Sequence, residues 1–457
     1  MFVFSTHKIP VATALLCGLV ILLPACSRHQ DAPAAAATAV VPAKPLSQVA
    51  LIGQRLFFDT SLSSSGKLAC ASCHNPQHAF APDNALSVQM GGAALTVQGG
   101  RAVPSLGYMN DTPNFSVGPE SPSEVDARLP AGMSASTVGH GPTVQAVPQG
   151  PMARVQPASA KAASATAAAT ALVPQGGFFW DGRADTLQGQ ALGPLLNPLE
   201  MDNASADVLV QKLQKIGYGD QMKQLFGPNV MTDKRLLVSE ALFAIGRYEA
   251  EEPAFHPYDS KYDFYLAGKT QLSAAETRGL KLFEDSKKGN CSSCHLDRKT
   301  PDGLPPAFTD YQFEALGLPR NKDIAATANP AFFDLGICGP ARNDVYSQQP
   351  QNCGLFKTPT LRNVATRRAF FHNGVFHNLE DVLHFYVERD IHPEKFYPLD
   401  PGGKIAKFND LPEKYRANID VIDAPLDRKP GDQPALSDAE IKDVIAFLNT
   451  LTDGYKP

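Results

Sequence analysis

The chain has 457 residues, 43% hydrophobic and 19% charged, which is enough apolar material for two domains and too much for a disordered, collagen-like or coiled-coil chain. A formal net charge of -5 shows no basic excess and argues against a nucleic-acid binder. The eight cysteines fall at Cys17, Cys26, the pairs Cys70/Cys73 and Cys291/Cys294, and Cys338 with Cys353.

From the N-terminus, Lys8 precedes an uncharged run from Ile9 to Ala25 that includes Leu15, Leu16, Leu19, Val20, Ile21, Leu22 and Leu23. The run is too short and too N-terminal for a transmembrane span, and it reads as the apolar core of a secretory signal over residues 1–25. It ends in Leu23-Pro24-Ala25-Cys26, which resembles the lipobox of bacterial lipoproteins. That resemblance implies cleavage before Cys26 and a lipid on its thiol. Ser27 in the next position points to the outer membrane. A plain secretory signal with Cys26 incidental is the alternative, and in either case the mature chain is exported and Cys17 is removed. Residues 26–45, mostly Ala, Pro and Val, read as a flexible tether.

The body opens with a helical pattern carrying Gly53, Leu56 and Phe57, followed by Cys70-Ala71-Ser72-Cys73-His74. Two thiols three positions apart on a turning backbone reach the two vinyl groups of one haem, and the next residue, His, falls under the iron. Zinc is the competing reading of a CxxC pair, but zinc does not require the following His. A redox CxxC wants a thioredoxin-like βαβ context, which is not apparent. The stretch from about 112 to 176 is rich in Ala, Pro, Ser and Gly and reads as an irregular insertion with one short helix at Ala162–Leu172. His140 within it reads as an exposed loop residue. Phe179-Trp180-Asp181-Gly182-Arg183 follows, then Gln190, Pro194 and Asn197-Pro198-Leu199-Glu200-Met201.

A long helix is expected over Arg235–Glu252, and a second Leu-Phe helix with Gly279, Leu282 and Phe283 is opened by a Ser273/Glu276 capping box. Cys291-Ser292-Ser293-Cys294-His295 repeats the haem motif. Cys338 and Cys353 flank a polar loop in an oxidising compartment; a disulfide between them is expected to contribute on the order of 3 kcal/mol. Ser437 and Glu440 open a last helix with Ile441, Val444, Ile445 and Leu448 on one face.

The two haem motifs, the Phe179–Arg183 and Asn197–Met201 motifs, and Phe356-Lys357-Thr358-Pro359-Thr360-Leu361-Arg362-Asn363-Val364 with His372-Asn373-Gly374 together resemble the di-haem cytochrome c peroxidase and MauG superfamily. The resemblance covers roughly residues 47–110 and 177–457. It implies a mainly α fold of two cytochrome c-like domains, each with one covalently bound c-type haem: residues 46–258, containing the insertion, and 259–457. It also implies a cytochrome-c peroxidase reaction. Hydrogen peroxide would be reduced to water at the first haem, held by Cys70, Cys73 and His74, and electrons would be relayed through the second, held by Cys291, Cys294 and His295. Gln190, Pro194 and Glu200 match the family's peroxide pocket, where a carboxylate moves a proton between the two oxygens. Trp180, the sole tryptophan, matches the residue between the haems.

No Met follows Met231, and the family position of the second haem's sixth ligand falls on Tyr386, the feature of the MauG-like branch, with His384 as the local competitor. A phenolate favours ferric and higher states, which implies oxidising equivalents stored as two Fe(IV) centres.

The chain departs from the family in several places. No His lies between Asn84 and Gly100 to cap the first haem, although Met90 does. The family's interdomain calcium takes an Asn that follows an Arg, but Arg101 is followed by Ala102, leaving backbone carbonyls near Arg367 and Ala369. MauG itself has a surface Trp two residues before its second haem motif, where Gly289 stands here. The expected donor is a small periplasmic cytochrome c or cupredoxin, and the expected membrane contact is through the N-terminal lipid. A MauG-like oxidase acting on a protein and a non-enzymatic electron carrier are the alternative functions.

Overall fold

In the computed structural model, the described residues are 45–119, 172–300 and 303–457. The signal, Cys17, Cys26, the tether, His140 and residues 162–171 of the expected short helix lie outside them.

In chain order the helices are α1 (Gln48–Phe57), α2 (Cys70–Cys73), α3 (Leu187–Leu196), α4 (Ala206–Leu213), α5 (Gly219–Phe226), α6 (Lys234–Glu251), α7 (Lys261–Leu266), α8 (Ala274–Glu284), α9 (Leu379–Glu388) and α10 (Asp438–Asn449). Antiparallel ribbons pair β1 (Met90–Gly91) with β2 (Val97–Gln98), β3 (Ser116–Pro119) with β4 (Leu172–Gln175), and β5 (Phe313–Glu314) with β6 (Phe356–Lys357). The fold is mostly helical. Among the described residues, no helix is long and apolar enough to cross a membrane.

Local chemistry starts each principal helix. The Ser47 hydroxyl accepts the Ala50 N–H at the head of α1, and Asp233 accepts from Arg235 and Leu236 at the head of α6. Reciprocal capping boxes, Ser273/Glu276 and Ser437/Glu440, open α8 and α10 as the sequence predicts.

The helices then pair in the same manner twice. A Cβ on Gly53 of α1 would lie 1.8 Å from the Ala244 carbonyl of α6, and one on Gly279 of α8 would lie 1.9 Å from the Asp443 carbonyl of α10. Only glycine permits backbones to cross this closely. One turn beyond each crossing stands an aromatic cluster. Phe57, Phe80, Tyr248 and Phe255 form the first; Phe283, Phe308, Phe447 and Tyr262 form the second. An apolar core of Ile52, Leu56, Leu195, Met222, Leu237 and Ile245 underlies the first pair. Val382, Ile441, Val444 and Leu448 extend the second.

The insertion differs from expectation at its ends. Residues 116–119 and 172–175 are not irregular but form the β3–β4 ribbon, with Ser116 opposite Gln175 and Pro119 opposite Leu172. Its strands lie more than fifty residues apart in sequence, so no local pattern announces their pairing. Cys338 and Cys353 are joined as a disulfide.

Candidate active site

The two CxxCH turns are built alike. In α2 the His74 N–H bonds the Cys70 carbonyl at 2.9 Å, and His295 does the same to Cys291 at 2.8 Å. Each imidazole is then fixed by its Nδ1: His74 on the Phe80 carbonyl at 3.1 Å and His295 on the Phe308 carbonyl at 3.0 Å. A carbonyl can only accept, so Nδ1 carries the proton and Nε2 keeps its lone pair for a metal. Both phenylalanines adopt positive φ, 55° and 54°, which turns their carbonyls toward the imidazoles. Burial pushes the pKa of both His74 and His295 down to about 4, so both rings are neutral and ligating at neutral pH.

A cavity of about 260 Å³ lies beside the second turn. Cys291, Cys294, His295 and Tyr386 all line it, as do Trp180, Lys357, Arg367 and His372. Tyr386 lies near enough to Cys294 and Cys291 for their charges to act on it, and burial drives its phenol pKa upward. His384 is not on that wall; its Nδ1 lies 3.3 Å from Glu388 Oε2 on another face of α9.

Helix α3 carries buried Gln190, whose side-chain amide has no protein partner among the described residues, and Pro194 one turn further on. The chain then closes a tight turn in which Asn197 Oδ1 accepts the Leu199 N–H at 3.0 Å and Asn197 Nδ2 donates to Glu200 Oε1 at 2.5 Å. Glu200 is half-buried, and its charge raises the pKa of both Cys70 and Cys73, which places it at the first motif. Burial raises the Glu200 carboxyl above the usual range, against the Asn197 hydrogen bond and the charge of Arg183. The loop carrying Met90 rests on this turn. Gly92 N–H bonds the Glu200 carbonyl at 2.9 Å, and a Cβ on Gly91 would lie 2.1 Å from the Leu199 carbonyl.

Trp180 bridges segments far apart in sequence. Its Nε1–H donates to the Ala102 carbonyl at 2.8 Å, and its own carbonyl accepts the Lys357 N–H at 2.8 Å. The neighbouring Asp181 is fully buried between Arg101 at 2.8 Å and Arg183 at 2.9 Å, while Arg101 also forks onto Asp334. These pairings hold Arg101 well above and Asp334 well below their ordinary pKa values.

Three site residues were not singled out from sequence. Lys357, in a recognised motif, is buried on the cavity wall with its pKa lowered to about 8 by burial, and its ammonium donates to the Gly177 carbonyl. Arg367 also lines the cavity. Glu249 of α6 is 5% exposed with Oε2 unpartnered, and burial raises its pKa to about 8. For Lys357 the available signal was its place in the Phe356–Val364 motif, and for Glu249 its spacing of four and seven residues from buried Ile245 and Leu242 on α6.

The donor set fits covalent haem. Each site offers two thiols on one turn and an imidazole with Nε2 available, and the second adds a phenol on a large, largely apolar cavity. Lys357 and Arg367 are cations suited to haem carboxylates.

Residues 47–271 match the family described as di-haem cytochrome c peroxidase. The methylamine utilization protein MauG of Paracoccus denitrificans is 29% identical over 451 residues, covering 97% of this chain and 96% of its own. The cytochrome c551 peroxidase of Nitrosomonas europaea is 31% identical over 208 residues, 45% of this chain and 52% of its own. The crystal structure of the diheme peroxidase BthA from Burkholderia thailandensis superposes with a TM-score of 0.72 at 34% identity, covering 90% of this chain and 87% of that one.

Proposed function

The chain belongs to the di-haem cytochrome c peroxidase and MauG family, and from that membership we propose that it is an exported peroxidase reducing hydrogen peroxide at the first haem site with electrons relayed from the second. Haem bound at the two CxxCH turns would supply the iron redox chemistry that peroxide reduction needs. Cys70, Cys73 and His74 would hold the first haem and Cys291, Cys294 and His295 the second, each imidazole offering Nε2. Glu200 takes the proton from one peroxide oxygen and delivers it to the other, which leaves as water. The overall balance is one peroxide, two protons and two electrons to two waters. Gln190 orients the oxygens through its amide. Trp180 would couple the two sites electronically, and Tyr386, on the same cavity as His295, would be the second ligand there. Residues 1–25 export the chain and Cys26 anchors it by lipid on the periplasmic side of the outer membrane; the mass of the mature N-terminal peptide checks this.

The observation that carries the reading is Glu200, a half-buried carboxyl pinned by Asn197 beside Cys70 and Cys73. Replacing Glu200 with Gln is expected to leave both haem spectra intact and to slow the stopped-flow peroxide reaction by about 10²–10⁴-fold. Glu200 must be ionised to accept the first proton. With its pKa raised, the wild-type rate climbs with pH through that raised value and then levels, while the Gln variant stays flat. An unchanged rate in Glu200→Gln would remove the residue from the mechanism.

A MauG-like oxidation of a protein partner is favoured by the near full-length similarity to MauG. Peroxide turnover with a reduced cytochrome c or cupredoxin, without a mass change in any partner protein, separates the two readings. Gly289 already argues against a substrate that needs a surface Trp at that position.

A further inference from the structure

We infer that the buried guanidinium of Arg367 takes the place of a calcium ion between the segment after the first haem motif and the segment before His372, making this protein calcium-independent. The resemblance to the family implies a calcium there, held by an Asn side chain and nearby carbonyls, and the residues present do not fit one. Ala102 has no side-chain oxygen, its carbonyl accepts Trp180 Nε1–H at 2.8 Å, and its N–H donates to the His372 carbonyl at 2.8 Å. Arg367 Nη2 donates to the Val103 carbonyl at 2.8 Å and approaches the Ala369 carbonyl at 3.4 Å. Calcium requires six to eight oxygen ligands. Here the carbonyls are turned to a resident cation, which would repel a second one. Among the described residues, no group of three or more His, Cys, Asp and Glu side chains is gathered to hold a metal.

Among the described residues no acidic side chain lies within ion-pair distance of Arg367, and burial alone pulls its pKa down to about 10, which leaves it charged at neutral pH. Its guanidinium holds the Val103 carbonyl, in the segment after the first motif, while the residue also lines the cavity of the second motif. One guanidinium thus ties the two haem regions together, as a shared divalent ion would. The inference does not depend on which reaction the protein performs, because it is read from metal content and stability.

The test uses the holoprotein, purified with calcium present and then dialysed against calcium-free buffer. Elemental analysis is expected to find far less than one calcium per chain. Neither EGTA nor millimolar calcium chloride should move the thermal midpoint or the ferric EPR spectrum. One calcium per chain, or an EGTA-induced shift reversed by calcium, overturns the inference. Arg367→Thr is expected to lower the thermal midpoint with both haems retained, and an unchanged midpoint also overturns it. If that variant does not fold, Arg367→Lys is read instead. Its midpoint should be indifferent to calcium, and a calcium-dependent rise counts against the inference.

Discussion

Tyr386 and His384 stand two positions apart on α9 and meet different surroundings. At 3.6 residues per turn, Leu379, Val382, Leu383, Tyr386 and Val387 share the stripe on the cavity, while His384 turns to Glu388. The expected outcome of Tyr386→Phe is a changed ferric EPR and optical signature for one haem only, with His384→Ala leaving both unchanged. The opposite pattern would put the imidazole on the iron. Glu249 yields a pH prediction. Its carboxyl pKa is raised to about 8, so the folded state holds a proton that the unfolded chain releases near 4.5. Its neutral form is compatible with burial, and stability is therefore lost as pH rises from about 4.5 toward 8, by at most ~1.4 kcal/mol per pH unit. Glu249→Gln should flatten that slope, as seen in thermal midpoints at pH 5 and pH 8; an equally steep decline would show that other groups cause it.

At the scale of elements, glycine positions govern how closely segments approach. Gly53 and Gly279 let α1 meet α6 and α8 meet α10 at backbone contact, which brings both Leu-Phe helices over their CxxCH turns. Gly91 seats the β1–β2 hairpin on the turn that carries Glu200. With the Leu199 carbonyl 2.1 Å from its absent Cβ, Gly91→Ala must push the β1–β2 hairpin or the Asn197–Asp202 turn aside. The prediction is a peroxide rate lowered by about tenfold or more with haem attachment unchanged, since a displacement near 1 Å at a reacting group is costly. A rate equal to wild type would mean that the hairpin yields without moving Glu200. The caps and apolar positions of α8 and α10 were legible beforehand because they are local signals, whereas the Asp233 cap of α6 was not read from the sequence. The contact between Gly91 and Leu199 was not, because it joins chain segments about a hundred residues apart.

Across the whole molecule, buried ion pairs tie distant segments together. Asp181 is fully buried against Arg101 and Arg183, Arg101 reaches on to Asp334, and Arg362 forks onto Asp263 at 2.6 and 2.8 Å. Removing one partner of such a set strands a buried charge, so Asp181→Asn is expected to destabilise the fold by about 3–5 kcal/mol in denaturant titration, and a loss below ~1 kcal/mol would show that water reaches the site. The two CxxCH motifs, the capping boxes and the Trp180, Gln190 and Glu200 motifs are written in the sequence, because a CxxCH turn and the start of a helix each depend on residues close together along the chain. The clustering of Lys357, Arg367 and Trp180 on one cavity, the orientation of Tyr386 over His384, the β3–β4 ribbon and the guanidinium on the Val103 carbonyl were decided only by the tertiary structure. Each depends on backbone groups from segments that meet only after long loops have closed, and no local periodicity encodes that meeting.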